Sequence, residues 1–140
     1  MAQKAMLTLI GRQRDQAGEE SVTESRAIAD CYEKDGASYI LYEEMPDDSA
    51  DVVKTIIKYR DGLLEMTKRG LVRCRMIFQA GQAHRTDYVT PYGTLPLEVA
   101  TRTAEFIHED SQTEIRLEYT LTCGGQFLSD CSLHLSLRFL

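Results

Sequence analysis

Apolar and polar residues alternate with a period of two along most of this chain. The pattern is clearest near the C-terminus, where Ile115, Leu117 and Tyr119 share one face of a predicted strand and Glu114 and Arg116 share the other. Successive side chains of a β-strand point to opposite faces of the sheet, so this alternation is typical of strands with one buried face. None of the segments keeps a helical 3.6-residue apolar stripe for three turns. The pattern therefore predicts an all-β protein.

Ten segments carry this alternation, and short turn sequences separate them. The turns include Asp35-Gly36, Asp61-Gly62 and Gly124-Gly125, whose residue types tolerate the positive φ that tight hairpins require. Consecutive hairpins without long crossovers favour an up-and-down meander, and a long meander that closes on itself removes its exposed edges. We predict a single antiparallel up-and-down β-barrel of about 8–10 strands that spans residues 1–140 as one domain. The ten predicted strands are 4–14, 19–33, 37–44, 51–59, 63–68, 71–79, 83–89, 94–107, 113–122 and 127–139.

One segment leaves a helical alternative open. Residues 46–50 form a predicted polar loop, and Asp47, Asp48 and Ser49 are residue types that cap helices. A helical turn at this position is the alternative to a strand that begins at Asp51.

The composition restricts the classes of partner. The formal charge of −6 disfavours general affinity for nucleic acid or for an anionic membrane. No apolar run approaches the roughly 18 residues that span a bilayer, and the apolar segment near the N-terminus is too short for a signal peptide. We therefore expect a cytoplasmic protein that binds neither nucleic acid nor membrane.

The cysteines and histidines show no metal-binding pattern. Cys31, Cys74, Cys123 and Cys131 form no CxxC pair, and the three histidines lack the HxH and HExxH spacings. Three of the cysteines are in step with apolar neighbours, which favours buried free thiols over a disulfide or a reactive thiol. We predict neither a metal nor a cofactor.

The stretch from Tyr88 to Gly93 is the most distinctive in the chain. Thr90-Pro91-Tyr92-Gly93 has the composition of a tight turn that sets strand register. The alternative is that Tyr88, Thr90 and Tyr92 line the mouth of the barrel and contact a ligand, because Tyr combines apolar area with a hydroxyl. If His84, Thr86 and Tyr88 face inward, one quadrant of the interior is polar. Tyr42 and Tyr119 complete the tyrosines of this candidate ligand-binding set.

Arginine is dense in the middle of the chain, and two interpretations stay open. Arg69, Arg73, Arg75 and Arg85 form either a solvated outer face, paired with Glu65, Asp87 and Glu98 across strands, or an anion site that includes Arg73 and Arg75. Glu43 and Glu44 are adjacent in a strand, so only one of them can enter the interior.

Several segments together resemble the YwiB-like family of small bacterial proteins of unknown function. The resemblance covers nearly the whole chain in order, and Tyr-x-Thr-Pro-Tyr-Gly is its most specific part. The sequence departs from the family pattern at Cys131, where a polar residue such as Asn is expected. The resemblance implies a calycin-like, lipocalin-like β-barrel in the cytosol, and it supplies no catalytic residues. The segments are Tyr39–Glu44, Lys68-Arg69-Gly70, Phe78–Gly81, Tyr88–Gly93, Thr101 and Ile115–Leu121, with Leu7–Gln13 and Ser129–Leu135 fitting the first and last strands.

Three functions are compatible with these observations. The first is a barrel that binds a small anionic or amphiphilic molecule. The second is a protein-interaction module or homodimer with a side-chain-filled barrel and no ligand, in which exposed apolar residues such as Phe106 and Leu128 drive association. The third, an enzyme, has the least support because we find no nucleophile–base pair and no GxSxG, P-loop or GxGxxG motif.

Overall fold

The computed structural model describes residues 2–44 and 52–140, and within them it contains ten β-strands and no helix. The helical alternative at Asp47–Ser49 and the predicted loop at 46–50 lie outside the described residues. The strands are β1 (Gln3–Asp15), β2 (Glu20–Lys34), β3 (Ala37–Glu44), β4 (Val53–Arg60), β5 (Leu63–Arg69), β6 (Cys74–Gln79), β7 (Ala83–Thr90), β8 (Gly93–His108), β9 (Gln112–Cys123) and β10 (Gln126–Phe139).

All strands pair antiparallel in one sheet of order β6-β5-β4-β3-β2-β1-β10-β9-β8-β7. Each strand therefore lies beside its neighbours in sequence, and β1 pairs with β10 to join the two ends of the chain. The two edge strands, β6 and β7, face each other across a seam that one bridge between Arg73 and Val89 crosses. The predicted up-and-down barrel is confirmed, and it is nearly closed.

Local turn chemistry explains two of the two-residue hairpins. Asp35 and Gly36 have φ values of 53° and 80°, and Asp61 and Gly62 have φ values of 51° and 79°. Two successive positive φ values give the turn whose twist matches that of the flanking strands. These turns pair Lys34 with Ala37 and Arg60 with Leu63, which fixes the register of both hairpins as the sequence predicts.

The alternating turns of the meander define two ends of the barrel. One end, which we call the Gly62 end, carries the turns around Gly36, Gly62, Gly81 and residues 109–111. The opposite end, which we call the Gly70 end, carries the connections around residues 16–19, 70–73, 91–92 and 124–125, together with the end of β3 and the start of β4. No helix in the described part of the chain is long and apolar enough to cross a membrane.

Side chains fill the middle of the barrel. One cluster of buried residues takes members from every strand except β7, which contributes the partly buried Tyr88. Close packing leaves little room for a ligand at this level of the barrel. The largest side chains that are less than 2% exposed are Phe78, Leu7, Ile40, Ile57, Leu64, Ile115, Leu117, Leu135, Leu137, Val99 and Thr55.

Two predictions about single elements were wrong. Strand β6 begins at Cys74, because the chain bends after Gly70 and Arg73 contributes an isolated bridge. Phe106 is not on the outer face, since a bulge between Thr101 and Thr103 turns the end of β8 so that its ring stacks on Tyr59. Leu128 is 39% exposed, as predicted.

Candidate functional site

A band of polar side chains crosses the inner face of five neighbouring strands towards the Gly70 end. Strand register pairs Tyr42 with Thr55, Thr55 with Lys68, and Lys68 with Cys74. The bridge between Arg73 and Val89 brings Tyr88 beside Cys74. Glu44 lies two residues beyond Tyr42 on the same face of β3. We call this set the inner polar row, and its members are Tyr42, Glu44, Thr55, Lys68, Cys74 and Tyr88.

Three polar atoms of the inner polar row are buried without a hydrogen bond of standard geometry among the described residues, while Tyr42 lies close enough to Glu44 and Thr55 for weak hydrogen bonds to influence its pKa. The three atoms are Tyr42 Oη, Thr55 Oγ1 and Glu44 Oε1. Tyr42 is 5% exposed and Thr55 is 1% exposed, so protein encloses both side chains almost completely. Buried polar groups in native proteins are nearly always hydrogen-bonded, and leaving one unpaired costs about 1–3 kcal/mol. The three groups of this row therefore satisfy one another only in part.

One ion pair forms the solvent-facing edge of the inner polar row. Lys68 Nζ lies 3.6 Å from Glu44 Oε2, and the two side chains are 25% and 22% exposed. The carboxylate therefore offers one oxygen to Lys68 and keeps the other, Oε1, for a further donor. As the sequence predicts, only one residue of the Glu43-Glu44 pair turns inward, and Glu43 is exposed.

The environment favours the neutral forms of the tyrosines and the thiol. Burial, and after it the nearby carboxylate of Glu44, raises the pKa of Tyr42. Burial also raises the pKa of Tyr88, with smaller contributions from Cys74 and Glu44. The pKa of Cys74 is raised by burial as well, against the opposing charge of Lys68. At neutral pH these residues therefore present hydroxyl and thiol groups, which both donate and accept hydrogen bonds.

Four of the residues proposed from the sequence lie on the inner face. Tyr42 and Tyr88 belong to the inner polar row. His84 is half-buried on β7, and its Nε2 lies 3.2 Å from Gln79 Oε1 across the seam. Tyr119 is 9% exposed and packs edge-on against Phe78, with ring centroids 4.8 Å apart, in the filled middle of the barrel.

The other four proposed residues lie away from the interior. Tyr92 is 99% exposed. The Thr90 hydroxyl stays within its own turn, where Oγ1 donates to Gly93 O at 2.9 Å and accepts from Tyr92 N at 3.1 Å. The Tyr88–Gly93 stretch is therefore mainly a register-setting turn, and of its three candidates only Tyr88 reaches the interior.

The arginines follow the first of their two interpretations. Arg73 and Arg75 are exposed on the outer side of β6 and its approach, because they alternate with the buried Cys74 and Met76. Arg75 forms an ion pair with Glu65, and Arg85 Nε lies 3.9 Å from Glu98 Oε2. Arg73 and Arg75 therefore do not share the interior with Tyr88 and His84.

Sequence reasoning missed Thr55, Lys68 and Cys74 as members of one site, although a signal existed for one contact. The turn at Asp61-Gly62 pairs Arg60 with Leu63, and counting five residues outward in each direction places Thr55 opposite Lys68. A lysine on the apolar face of a strand, opposite a threonine, indicates a polar position inside a barrel. Among the described residues, no group of three His, Cys, Asp or Glu side chains could hold a metal ion. Cys31, Cys74, Cys123 and Cys131 are all free thiols.

The comparisons with known proteins agree with the fold. Residues 8–135 match a family described as a domain of unknown function, DUF1934. The sequence is 26% identical over 109 residues to the uncharacterized beta-barrel protein YwiB of Bacillus subtilis strain 168, covering 78% of this chain and 75% of that protein. The crystal structure of the ywiB protein from Bacillus subtilis superposes with a TM-score of 0.87 at 22% identity, covering 99% of this chain and 93% of that one.

Proposed function

The chain belongs to the DUF1934 family, whose description states no function, and we propose a function from the geometry of the inner polar row. The proposed function is the binding of a small amphiphilic molecule at the Gly70 end of the barrel. The observation that carries the proposal is the group of three incompletely hydrogen-bonded atoms, Tyr42 Oη, Thr55 Oγ1 and Glu44 Oε1, on neighbouring inner positions. Binding sites in barrels combine an apolar wall with a few convergent polar groups. The inner polar row and the apolar residues beside it have this composition.

The chemistry of the row selects the head group of the ligand. Glu44 Oε1 accepts hydrogen bonds only, so the ligand has to donate to it. The hydroxyls of Tyr42 and Thr55 both donate and accept, and a ligand hydroxyl or carboxamide satisfies all three atoms. Lys68 and Glu44 together carry no net charge, and Arg73 and Arg75 are on the other side of the sheet, so the row has no excess positive charge for an anionic head. Of the two ligand classes that the sequence suggests, the geometry supports the amphiphilic one with a neutral head.

The apolar part of the ligand has a matching surface. Val53, Met66 and Met76 are buried on the inner faces of β4, β5 and β6, each two residues from a member of the inner polar row. Methionine adapts its shape to different apolar partners, which suits a pocket that fills with ligand. The partial exposure of Lys68 and Glu44, the two charged residues of the row, supports entry of the ligand at this edge.

We also propose a structural class for the barrel and a cellular location for the protein. A closed up-and-down barrel that holds one small ligand is the arrangement of calycin-like and lipocalin-like proteins, and we assign this chain to that type. We also propose a cytoplasmic location, which four free thiols support, because reducing compartments keep cysteines unpaired.

Native mass spectrometry of the freshly purified chain tests the binding proposal. We expect a mass increment that denaturation removes, and we expect Tyr42→Phe combined with Thr55→Val to reduce the ligand-bound fraction at least tenfold, since two of its hydrogen bonds are lost. The matched control is Tyr32→Phe, because Tyr32 lies on the outer face and stacks on Tyr39. A ligand-free dimer in the spectrum would contradict the proposal and favour the interaction-module hypothesis. An anionic copurified molecule would overturn the assignment of the head group.

The incompletely hydrogen-bonded hydroxyls also predict the sign of a stability change. Thr55→Val keeps the side-chain shape and removes a buried hydroxyl whose only contact of this kind, with Tyr42, is weak, so in ligand-free protein we expect the free energy of unfolding to rise by about 1 kcal/mol. Urea denaturation measures this change. The control is Thr67→Val on the opposite face of β5, which should change stability by less than about 0.5 kcal/mol. If Thr55→Val destabilises the protein instead, the hydroxyl has a structural partner and the binding argument loses its main support.

A further inference from the structure

The Gly62 end of the barrel holds a pocket, which the packed core separates from the inner polar row. Its volume is about 450 Å³, within the range of small-molecule sites. Its floor is apolar and consists of core residues from β2, β3 and β10. Those residues are Cys31, Ile40, Leu137 and Phe139.

Tyr59 forms an aromatic wall across this end of the barrel. Its ring stacks on His108 with centroids 5.9 Å apart and planes 15° apart, and on Phe106 with centroids 5.4 Å apart and planes 22° apart. Tyr59 comes from β4 and the other two residues come from β8, which is not a neighbour of β4 in the sheet. The stack therefore spans the barrel opening, and it offers flat aromatic faces to a planar ligand.

Two acidic residues line the rim of this pocket, and one ammonium group lies beside it, because Lys58 Nζ is 5.7 Å from the ring centroid of the lining residue Tyr39. Glu33 and Glu109 contribute carboxylates, and both residues are exposed. Ser38 and Thr113 add hydroxyls near the aromatic wall, and the Tyr59 hydroxyl lies close to Ser38, Cys31 and Glu33. Among the described residues, the lining of this pocket contains neither lysine nor arginine. A cation is therefore favoured over an anion at this end of the barrel.

We propose that the Gly62 end is a second binding site, for a planar aromatic molecule that carries a protonated amino group. The aromatic ring of the ligand packs against Tyr59, and its ammonium group pairs with Glu33 and Glu109. Flat apolar walls with two rim carboxylates match this class of molecule both in shape and in charge. The site shares no residue with the inner polar row, so the two binding proposals can be tested independently of each other.

Tryptamine is a suitable probe because the chain contains no tryptophan, so indole emission reports the probe alone. We expect its fluorescence anisotropy to rise to saturation as protein is added. Indole-3-propionate has the same ring with the opposite charge, and we expect it to bind at least tenfold more weakly. In the variant Glu33→Gln combined with Glu109→Gln, tryptamine should also bind about tenfold more weakly, since two exposed ion pairs together contribute about 1–2 kcal/mol.

Three further variants show whether tryptamine occupies this pocket or another part of the surface. Tyr59→Leu should weaken tryptamine and indole-3-propionate alike, because it removes the ring that both probes use. Glu105→Gln combined with Glu118→Gln removes two exposed carboxylates outside the pocket and should leave binding unchanged. Tyr42→Phe should also leave it unchanged, whatever its effect at the inner polar row. The proposal is overturned if tryptamine shows no saturable binding, or if both probes bind wild type and the Glu33→Gln, Glu109→Gln variant equally.

Discussion

Phe78→Ala is expected to lower the free energy of unfolding by about 3–5 kcal/mol, the range for a fully buried phenylalanine. Phe78 is 1% exposed and is the largest of the fully buried side chains. It projects from β6, beside the seam, and meets Tyr119 of β9 across the interior with ring planes at 65°. Truncation removes the packing of the ring and its aromatic pair with Tyr119. It also leaves a cavity in the barrel centre, beside the seam where β6 and β7 share few backbone hydrogen bonds. Because small domains have a total stability of roughly 5–15 kcal/mol, this one change removes a large share of it.

Guanidinium denaturation followed by circular dichroism measures the loss, and Phe106→Ala is the matched control. Phe106 has the same ring but is half-buried at the Gly62 end, so its truncation should cost clearly less than that of Phe78. A loss below about 1 kcal/mol for Phe78→Ala would be incompatible with a close-packed centre. The barrel would then have to be wide and loosely filled, and a single central cavity would replace the two end sites proposed here.

The fold could be predicted from the sequence because it is determined largely by local features, the tight turns and the alternation of apolar and polar residues. Asp-Gly turns adopt positive φ for intrinsic reasons, and each turn fixes the register of the strands beside it. Alternation then separates the two faces of each strand, and it correctly predicted that only one residue of the Glu43-Glu44 pair turns inward. A bulge is where this reasoning fails. The extra residue between Thr101 and Thr103 changes which side chains of β8 face inward. The bulge was not predicted from the apolar pattern around Phe106.

The candidate site was harder to predict because it depends on connections that turn chemistry does not specify. The pairing of Thr55 with Lys68 follows from one tight hairpin. The pairing of Tyr42 with Thr55 depends on the connection through residues 45–51, and the length of that connection does not determine which residues of β3 and β4 lie opposite each other. The link from Cys74 to Tyr88 depends on how the barrel closes at its seam, a property of ten strands together. Distinctive composition, in contrast, led to the prediction of site residues that do not reach the interior. Tyr92 belongs to the most recognisable stretch of the chain and is almost entirely exposed.

Gly70 links the stability of the barrel to the inner polar row, and we expect Gly70→Ala to cost roughly 2–4 kcal/mol from backbone strain and overpacking together. Its φ is +155°, and a Cβ at this position would lie 2.5 Å from Val52 O and 3.0 Å from Val53 Cα. Both contacts are with backbone, so no side-chain rotation relieves them. The start of β4 would have to move away from the end of β5.

That movement would separate Thr55 from Lys68, since Thr55 is two residues beyond Val53 and Lys68 is two residues before Gly70. We therefore expect Gly70→Ala to lose both thermal stability and the ligand-bound fraction in native mass spectrometry. Gly81→Ala is the control, because Gly81 also has a positive φ, of +79°, but a Cβ there meets no described atom within 4 Å. It should cost about 1 kcal/mol and leave binding intact. Equal losses for the two variants would mean that φ strain alone is responsible, and that close packing of the chain at Gly70 does not hold the inner polar row in place.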